Sequence, residues 1–236
     1  MNRYRNTFSK RHTFLAVIHV EGGAQALRNA RLANDEGADG IFLINHSATN
    51  QSIPYVSLLD CYEEIRSKMS TLWIGVNCLD LGRNAVNYVP KTMQGIWADS
   101  AGIDEKDGRI DVRDAENFSY QRRKIRWAGI YFGGVAFKYQ RPVTDVEAVA
   151  RKSLSFVDVV TTSGRGTGEA ADLEKIRAMK MAIGNFPLAV ASGVTPENVE
   201  PYMPYVDCFL VATGVSYSHT ELNRSRVRQL SKILNA

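Results

Sequence analysis

Lys138 is the residue with the greatest chemical reach in this chain, because it ends the apolar run Gly129 to Phe137. An ammonium at the end of such a run can stand as a fixed cation for an anionic substrate. Desolvated, it can instead attack a carbonyl to form a Schiff base. An ion pair with Asp99 or Asp158 would give it a purely structural use. His19 ends another apolar run, Thr13 to Val20, and its ordinary pKa near neutrality suits a general acid or base. Asp80 and Asp99 follow further apolar segments and could shuttle a proton or hold Mg²⁺ partly through water. No spacing of His, Cys, Asp and Glu demands a metal, and none is assigned.

A second kind of chemistry is written in the small residues. Ser163-Gly164-Arg165-Gly166-Thr167-Gly168 has a backbone that can approach a phosphate closely, with Arg165 as a clamp. Leu188 to Ala191 is an apolar run that breaks at Ser192-Gly193-Val194, and Cys208 to Ala212 breaks in the same way at Thr213-Gly214. Thr195-Pro196 reads as the start of a helix, with Thr195 as N-cap and Pro196 in the first turn. Free backbone N–H groups and a helix N-terminus together make an anion site.

The elements that position these groups alternate regularly. Strands are expected over Thr13–Val20, Gly40–Asn45, Leu72–Val76, Gly95–Ala98, Gly129–Phe137, Val157–Thr161, Leu188–Ala191 and Cys208–Ala212. Helices are expected over Ala24–Glu36, Val56–Met69, Gly82–Tyr88, Phe118–Trp127, Val146–Leu154, Glu169–Ile183 and Leu222–Leu234. Gly102 to Arg113 interrupts them as a polar hairpin or lid. Eight strand–helix units of about thirty residues, with no linker, predict one domain over residues 1–236, an α/β TIM barrel. A doubly wound open sheet is the competitor, and Glu21-Gly22-Gly23 lacks the spacing its dinucleotide loop would need.

A barrel gathers its chemistry at the carboxyl ends of the strands. That rule adds Glu21, Asn45, His46 and Asn77 to the residues above as pocket candidates, and makes the loops after strands seven and eight the phosphate site.

Composition sets the outer limits. With 44% hydrophobic and 23% charged residues the chain can bury a sizeable core. A net charge of +4 is mild, and the basic groups at Arg3, Arg5, Lys10 and Arg11 and at Arg122 to Arg126 read as solvated faces, so nucleic acid is not an expected partner. Three dispersed cysteines give neither a disulfide framework nor a zinc motif, which fits a reduced, cytoplasmic setting. No apolar run is long enough for a membrane span. A small phosphorylated ligand is the expected partner, and the sequence is compatible with a homo-oligomer.

These motifs also carry a resemblance. Ile18-His19-Val20, Glu36 to Ile41 (EGADGI), Gly75 to Asp80 (GVNCLD), Phe137-Lys138, Ser163 to Gly168 and Ala191 to Val199 (ASGVTPENV) resemble the BtpA family, named for a photosystem I biogenesis protein. The likeness runs from the first strand to the last helix and implies a TIM barrel with a site. Family members usually carry a Pro- and Gly-rich loop after the first strand and a Glu-Asn pair after the second; here the loop is short and Ile44-Asn45 lacks the acid. ASGVTPENV is also similar to a phosphoribosyl-binding segment of quinolinate phosphoribosyltransferases. The resemblances imply an enzyme acting on a small phosphorylated metabolite, of phosphoribosyl or nucleotide-like type, by phosphoribosyl transfer or lyase/isomerase chemistry. The alternatives are an assembly or stability factor for another complex, as the family name suggests, and a barrel that binds ligand without catalysis.

Overall fold

The computed structural model describes residues 2–47 and 52–236. Its strands are β1 (Thr13–His19), β2 (Gly40–Ile44), β3 (Ile74–Asn77), β4 (Gly95–Ala98), β5 (Asp104–Lys106), β6 (Arg109–Asp111), β7 (Ile130–Gly134), β8 (Val159–Ser163), β9 (Leu188–Ala191) and β10 (Cys208–Val211). All but β5 and β6 close into a parallel barrel in the order β1-β2-β3-β4-β7-β8-β9-β10, with β10 returning to β1. Each barrel strand is buried on both faces, the reason it reads as a continuous apolar run rather than an alternating one.

The helices are α1 (Arg3–Thr7), α2 (Gly23–Asp35), α3 (Tyr55–Lys68), α4 (Arg113–Ile125), α5 (Val146–Ser153), α6 (Leu173–Ile183) and α7 (Arg224–Leu234). Capping side chains fix several starts: Asp145 accepts from the Ala148 N–H at 2.8 Å, and Asp172 from the Glu174 N–H at 2.9 Å. The Asp172 cap places the start of α6 four residues later than the apolar pattern suggests, so Glu169 to Ala171 belong to the loop. Asp111, accepting from the Arg113 N–H at 3.0 Å, starts α4 well before Phe118. The polar interruption is the hairpin β5–β6, turning at Asp107 and Gly108, both at positive φ. The loop expected between Asn45 and Pro54 falls partly outside the described residues.

The core has two layers. Phe42, Trp73, Trp97 and Phe132 fill the barrel interior with edge-to-face contacts at centroid distances of 5.1–6.1 Å. A larger cluster lies between the strands and the helical shell. The amino end of the barrel is stoppered by α1, an element outside the sequence expectation. The buried Tyr4 hydroxyl donates to the Asp207 carbonyl at 2.9 Å and accepts from Thr13 Oγ1 at 2.8 Å. The N-terminal basic residues are exposed in part and also paired: Arg3 with Asp158, Arg5 with Asp207, and Lys10 with Asp39. Arg122 joins Arg3 on Asp158. The three cysteines are free and buried, and burial pushes the Cys78 thiol up to about 12. Among the described residues no helix is long and apolar enough to cross a membrane.

Candidate functional site

The carboxyl ends of the barrel strands enclose a cavity of about 180 Å³. Its floor is apolar: Val17, Ile44, Leu79, Trp97 and Leu210. Its rim is polar and comes from His19, His46, Asp99, Lys138, Tyr139, Thr167-Gly168, Ser192-Gly193-Val194 and Thr213-Gly214. That volume lies below the roughly 300–1,000 Å³ of drug-sized sites and suits a small metabolite.

The small-residue turns meet on one side of this mouth. Ser192 and Gly193 are consecutive residues at positive φ, +85° and +69°. The conformation is costly for the serine and is held by its surroundings. Ser192 Oγ donates to the Gly166 carbonyl at 3.3 Å, and Asn198 Nδ2 donates to the Gly193 carbonyl at 2.8 Å. A Cβ on Gly214 would collide with the Val194 carbonyl, so the turns after β9 and β10 are in backbone contact. Arg226 of α7 locks them together, donating to the Gly214 carbonyl at 2.8 Å and pairing with Glu197. Among the described residues, the backbone N–H groups of Gly168, Gly193 and Val194 take part in no hydrogen bond, and all three residues line the cavity.

The helix expected at Thr195-Pro196 does not form. Asn198 Oδ1 accepts from the Thr195 N–H at 2.8 Å and Thr195 Oγ1 from the Glu197 N–H at 3.2 Å, which winds the segment into a side-chain-held turn. Only short 3₁₀ turns follow, at Glu200–Tyr202 and Thr213–Val215, so no helix dipole contributes at these turns. Within the loop after β8, Thr167 and Gly168 reach the cavity. Arg165 and Gly164 line a separate groove with Lys175, and Gly166 and Ser163 are used in loop contacts.

β7 ends at Gly134, so Lys138 sits on a following turn rather than at a strand end; Ala136 and Tyr139 in that turn have positive φ. Ser163 Oγ accepts from the Lys138 N–H at 2.8 Å, and Lys138 Nζ donates to Thr167 Oγ1 at 3.1 Å. Asp99 is oriented by buried Asn77, whose Nδ2 donates to Asp99 Oδ1 at 3.0 Å. Burial raises the Asp99 carboxyl above its ordinary value, against the Asn77 hydrogen bond and the attraction of Lys138. Gln140 supports the same corner, with Nε2 donating to the Asp99 carbonyl at 2.5 Å.

Several expected site residues lie elsewhere. Asp80 accepts from Asn45 Nδ2 at 2.8 Å and from the Tyr55 N–H at 3.0 Å, bracing the loop before α3. Asn45 completes that brace by accepting from the Leu79 N–H at 2.7 Å. Asp80 therefore does not share the cavity with Asp99, and the pair expected for a shuttle or Mg²⁺ is not assembled. Glu21 is exposed and outside the cavity lining, because the chain turns directly into α2.

The structure adds residues that the strand-end inventory omits. Tyr139 and Trp97 line the cavity. His219, in the loop between β10 and α7, closes a histidine cluster with His19 and His46; extending the inventory past Thr213-Gly214 reaches it. His19 Nδ1 donates to the His219 carbonyl at 2.8 Å. Burial lowers the His19 pKa to about 3, with His219, His46 and Lys138 adding repulsion, so the ring is neutral near pH 7. A buried neutral imidazole of this kind is a poor general acid. His46 is also lowered, chiefly by burial.

Solved structures share the architecture. Phosphoribosyl anthranilate isomerase of Thermus thermophilus superposes with a TM-score of 0.65 at 15% identity, covering 94% of this chain and 98% of that one. (S)-3-O-geranylgeranylglyceryl phosphate synthase of Thermoplasma acidophilum gives 0.67 at 14% identity, over 99% and 96%. Tryptophan synthase of Mycobacterium tuberculosis gives 0.64 at 13%, over 96% and 93%. Among curated sequences, an uncharacterized protein of Methanocaldococcus jannaschii is 22% identical over 89% of this chain and 84% of its own length. An uncharacterized protein of Thermococcus kodakarensis is 24% identical over 88% and 84%. Residues 104–236 match the model of the BtpA family, more than half of the chain and the part that carries the small-residue turns and Lys138. The chain belongs to the BtpA family.

Proposed function

We propose that the barrel mouth is the active site of an enzyme acting on a small phosphorylated metabolite. The carrying observation is that three residues with unengaged backbone N–H groups among the described residues, Gly168, Gly193 and Val194, line one cavity, with Lys138 on the same rim. Backbone donors with an adjacent ammonium form an anion site that needs no helix dipole. The phosphate is placed between the turns after β9 and β10, its charge met by Lys138. Asp99 is the group for proton transfer: its raised carboxyl pKa and its Asn77 hydrogen bond suit a positioned acid or base. Thr167 and Thr213 offer side-chain hydroxyls around the same anion.

The structural neighbours support this reading by what their names record. One is an isomerase of a phosphoribosyl compound, and another was solved with the substrate sn-glycerol-1-phosphate. A phosphoribosyl or nucleotide-like substrate fits a cavity with an apolar floor and an anion-binding rim. The likeness of Ala191–Val199 to quinolinate phosphoribosyltransferases rests on that segment alone. The assembly-factor reading calls for a contiguous apolar patch; among the described residues the exposed large apolar side chains include Val56 and Tyr88, whose segments meet through the Tyr55–Tyr88 ring contact.

Gly193→Asp tests the proposal. It sets a carboxylate among the donors, at a positive φ and against the Glu169–Ala170 backbone. Inorganic phosphate titrated into the variant should bind at least tenfold more weakly than to the wild type. Unchanged affinity in a folded variant would remove the site.

A further inference from the structure

Three of the chain's four histidines come together at the barrel mouth from distant parts of the sequence. His19 ends β1, His46 follows β2, and His219 lies in the last loop. One ring nitrogen from each lies within 4.8 Å of the other two. We infer that His19, His46 and His219 form a binding site for a divalent first-row transition cation of the Zn²⁺ or Co²⁺ type.

The donor set suits that class, since three imidazoles with open remaining positions are a ligand arrangement of catalytic zinc. Ca²⁺ and Mg²⁺ prefer oxygen ligands, which the cluster does not offer in its side chains. Ligands about 2.0–2.1 Å from a tetrahedral cation stand about 3.3 Å apart. His46 Nδ1 and His219 Nε2 are already 3.3 Å apart. His19 has to draw closer, its ring being 4.1 Å from that of His219, centroid to centroid, and the His46 carbonyl, 2.9 Å from His219 Nε2, has to swing out of that nitrogen's lone-pair direction.

Hydrogen bonding settles which lone pairs are free. A carbonyl can only accept, so His19 Nδ1 carries its proton toward the His219 oxygen and leaves Nε2 bare. A backbone carbonyl holding the far nitrogen in this way is the usual outer-shell support of a metal-binding histidine. By the same reasoning His219 Nε2 carries a proton toward the His46 carbonyl at 2.9 Å, and His46 Nδ1 faces that proton as an acceptor. A cation replaces this shared proton: His219 shifts to its Nδ1–H tautomer and Nε2 becomes a ligand. His19 and His46 both line the cavity, so the remaining coordination positions face whatever binds there, alongside Asp99 and Lys138. The inference is independent of the phosphate reading, because the backbone donors of that reading need no cation.

The experiment is a titration of Co²⁺ into the full-length, metal-stripped protein, followed by visible d–d absorption. One equivalent per chain is expected to give an intense band, bleached when Zn²⁺ displaces the Co²⁺. His46→Ala and His219→Ala, folded by circular dichroism, should each bind Co²⁺ at least tenfold more weakly. His12→Gln alters the fourth histidine, hydrogen-bonded to the Val206 carbonyl away from the mouth, and should bind Co²⁺ as the wild type does. A wild-type protein that develops no band at millimolar Co²⁺, or a band that survives loss of both His46 and His219, overturns the site. Phosphate titration of the metal-free protein separates this outcome from that of the anion site.

Discussion

Gly214→Ala is a one-carbon change whose consequences can be worked out from the structure. A Cβ at this position would lie 2.8 Å from the Val194 carbonyl carbon and 3.2 Å from Thr195 Cα, and nearer still to the Val194 oxygen. The Val194 oxygen is the limiting obstacle, and clearing it requires the turns after β9 and β10 to part by more than about 1 Å. The obstacle is backbone, which cannot rotate away as a side chain would. Arg226 resists the separation, holding the Gly214 carbonyl and pairing with Glu197 on the facing turn. Overpacking of this kind costs about 1–3 kcal/mol. In a protein of this size, that lowers the melting temperature by about 2–12 °C. The same displacement spoils the cradle, so phosphate affinity should fall at least tenfold even at temperatures where the variant is fully folded. Calorimetric melting with phosphate titration at 25 °C reads both effects. A Gly214→Ala protein with wild-type melting and wild-type phosphate affinity would show that the contact between the turns does not organise the site.

Lys138→Met should weaken binding of a phosphorylated ligand ten- to hundredfold, as expected for a lost charged hydrogen bond worth about 1.5–3 kcal/mol, while Lys138→Arg keeps part of it. If Lys138 instead forms an imine, arginine is as inactive as methionine, and borohydride trapping with substrate separates the two roles. His12 is buried against the Val206 carbonyl, and burial lowers its pKa. The unfolded chain therefore takes up a proton near pH 6.5 that the folded chain refuses, so stability falls as pH drops below about 6.5 and is level above it. Urea midpoints measured from pH 7.5 to 5 should fall less steeply in His12→Gln than in the wild type; equal slopes would assign the acid sensitivity elsewhere.

The barrel was legible because both-face burial writes each strand as an unbroken apolar run, and eight such runs alternate with amphipathic segments. Strand ends were less legible. Gly129 to Phe137 is apolar throughout, yet β7 stops at Gly134, where the chain turns through positive-φ Ala136; apolarity reports burial, not pairing. The same ambiguity explains α1. A short helix with Arg3 and Arg5 looks like a solvated tail until Asp158 and Asp207 come to meet it. The small-residue turns are legible because glycine after an apolar run marks a break in the strand. No helix starts at Thr195-Pro196 because Asn198 folds back onto Thr195 and Gly193. Asp80 and Asp99 look alike in sequence; only the three-dimensional arrangement shows one bracing a loop and the other lining the cavity. The histidine cluster was beyond spacing rules, since its members are separated by 27 and 173 residues (46 − 19 and 219 − 46).

If the turns after β9 and β10 hold the phosphate of a small metabolite, their backbone amide resonances must respond to titration with inorganic phosphate and then ribose 5-phosphate. Saturable shifts should centre on Gly168, Gly193 and Val194, with ribose 5-phosphate adding the Trp97 indole N–H, on the cavity floor and without a hydrogen-bond partner among the described residues. Saturable shifts confined to another surface, or none at millimolar ligand, would contradict the account.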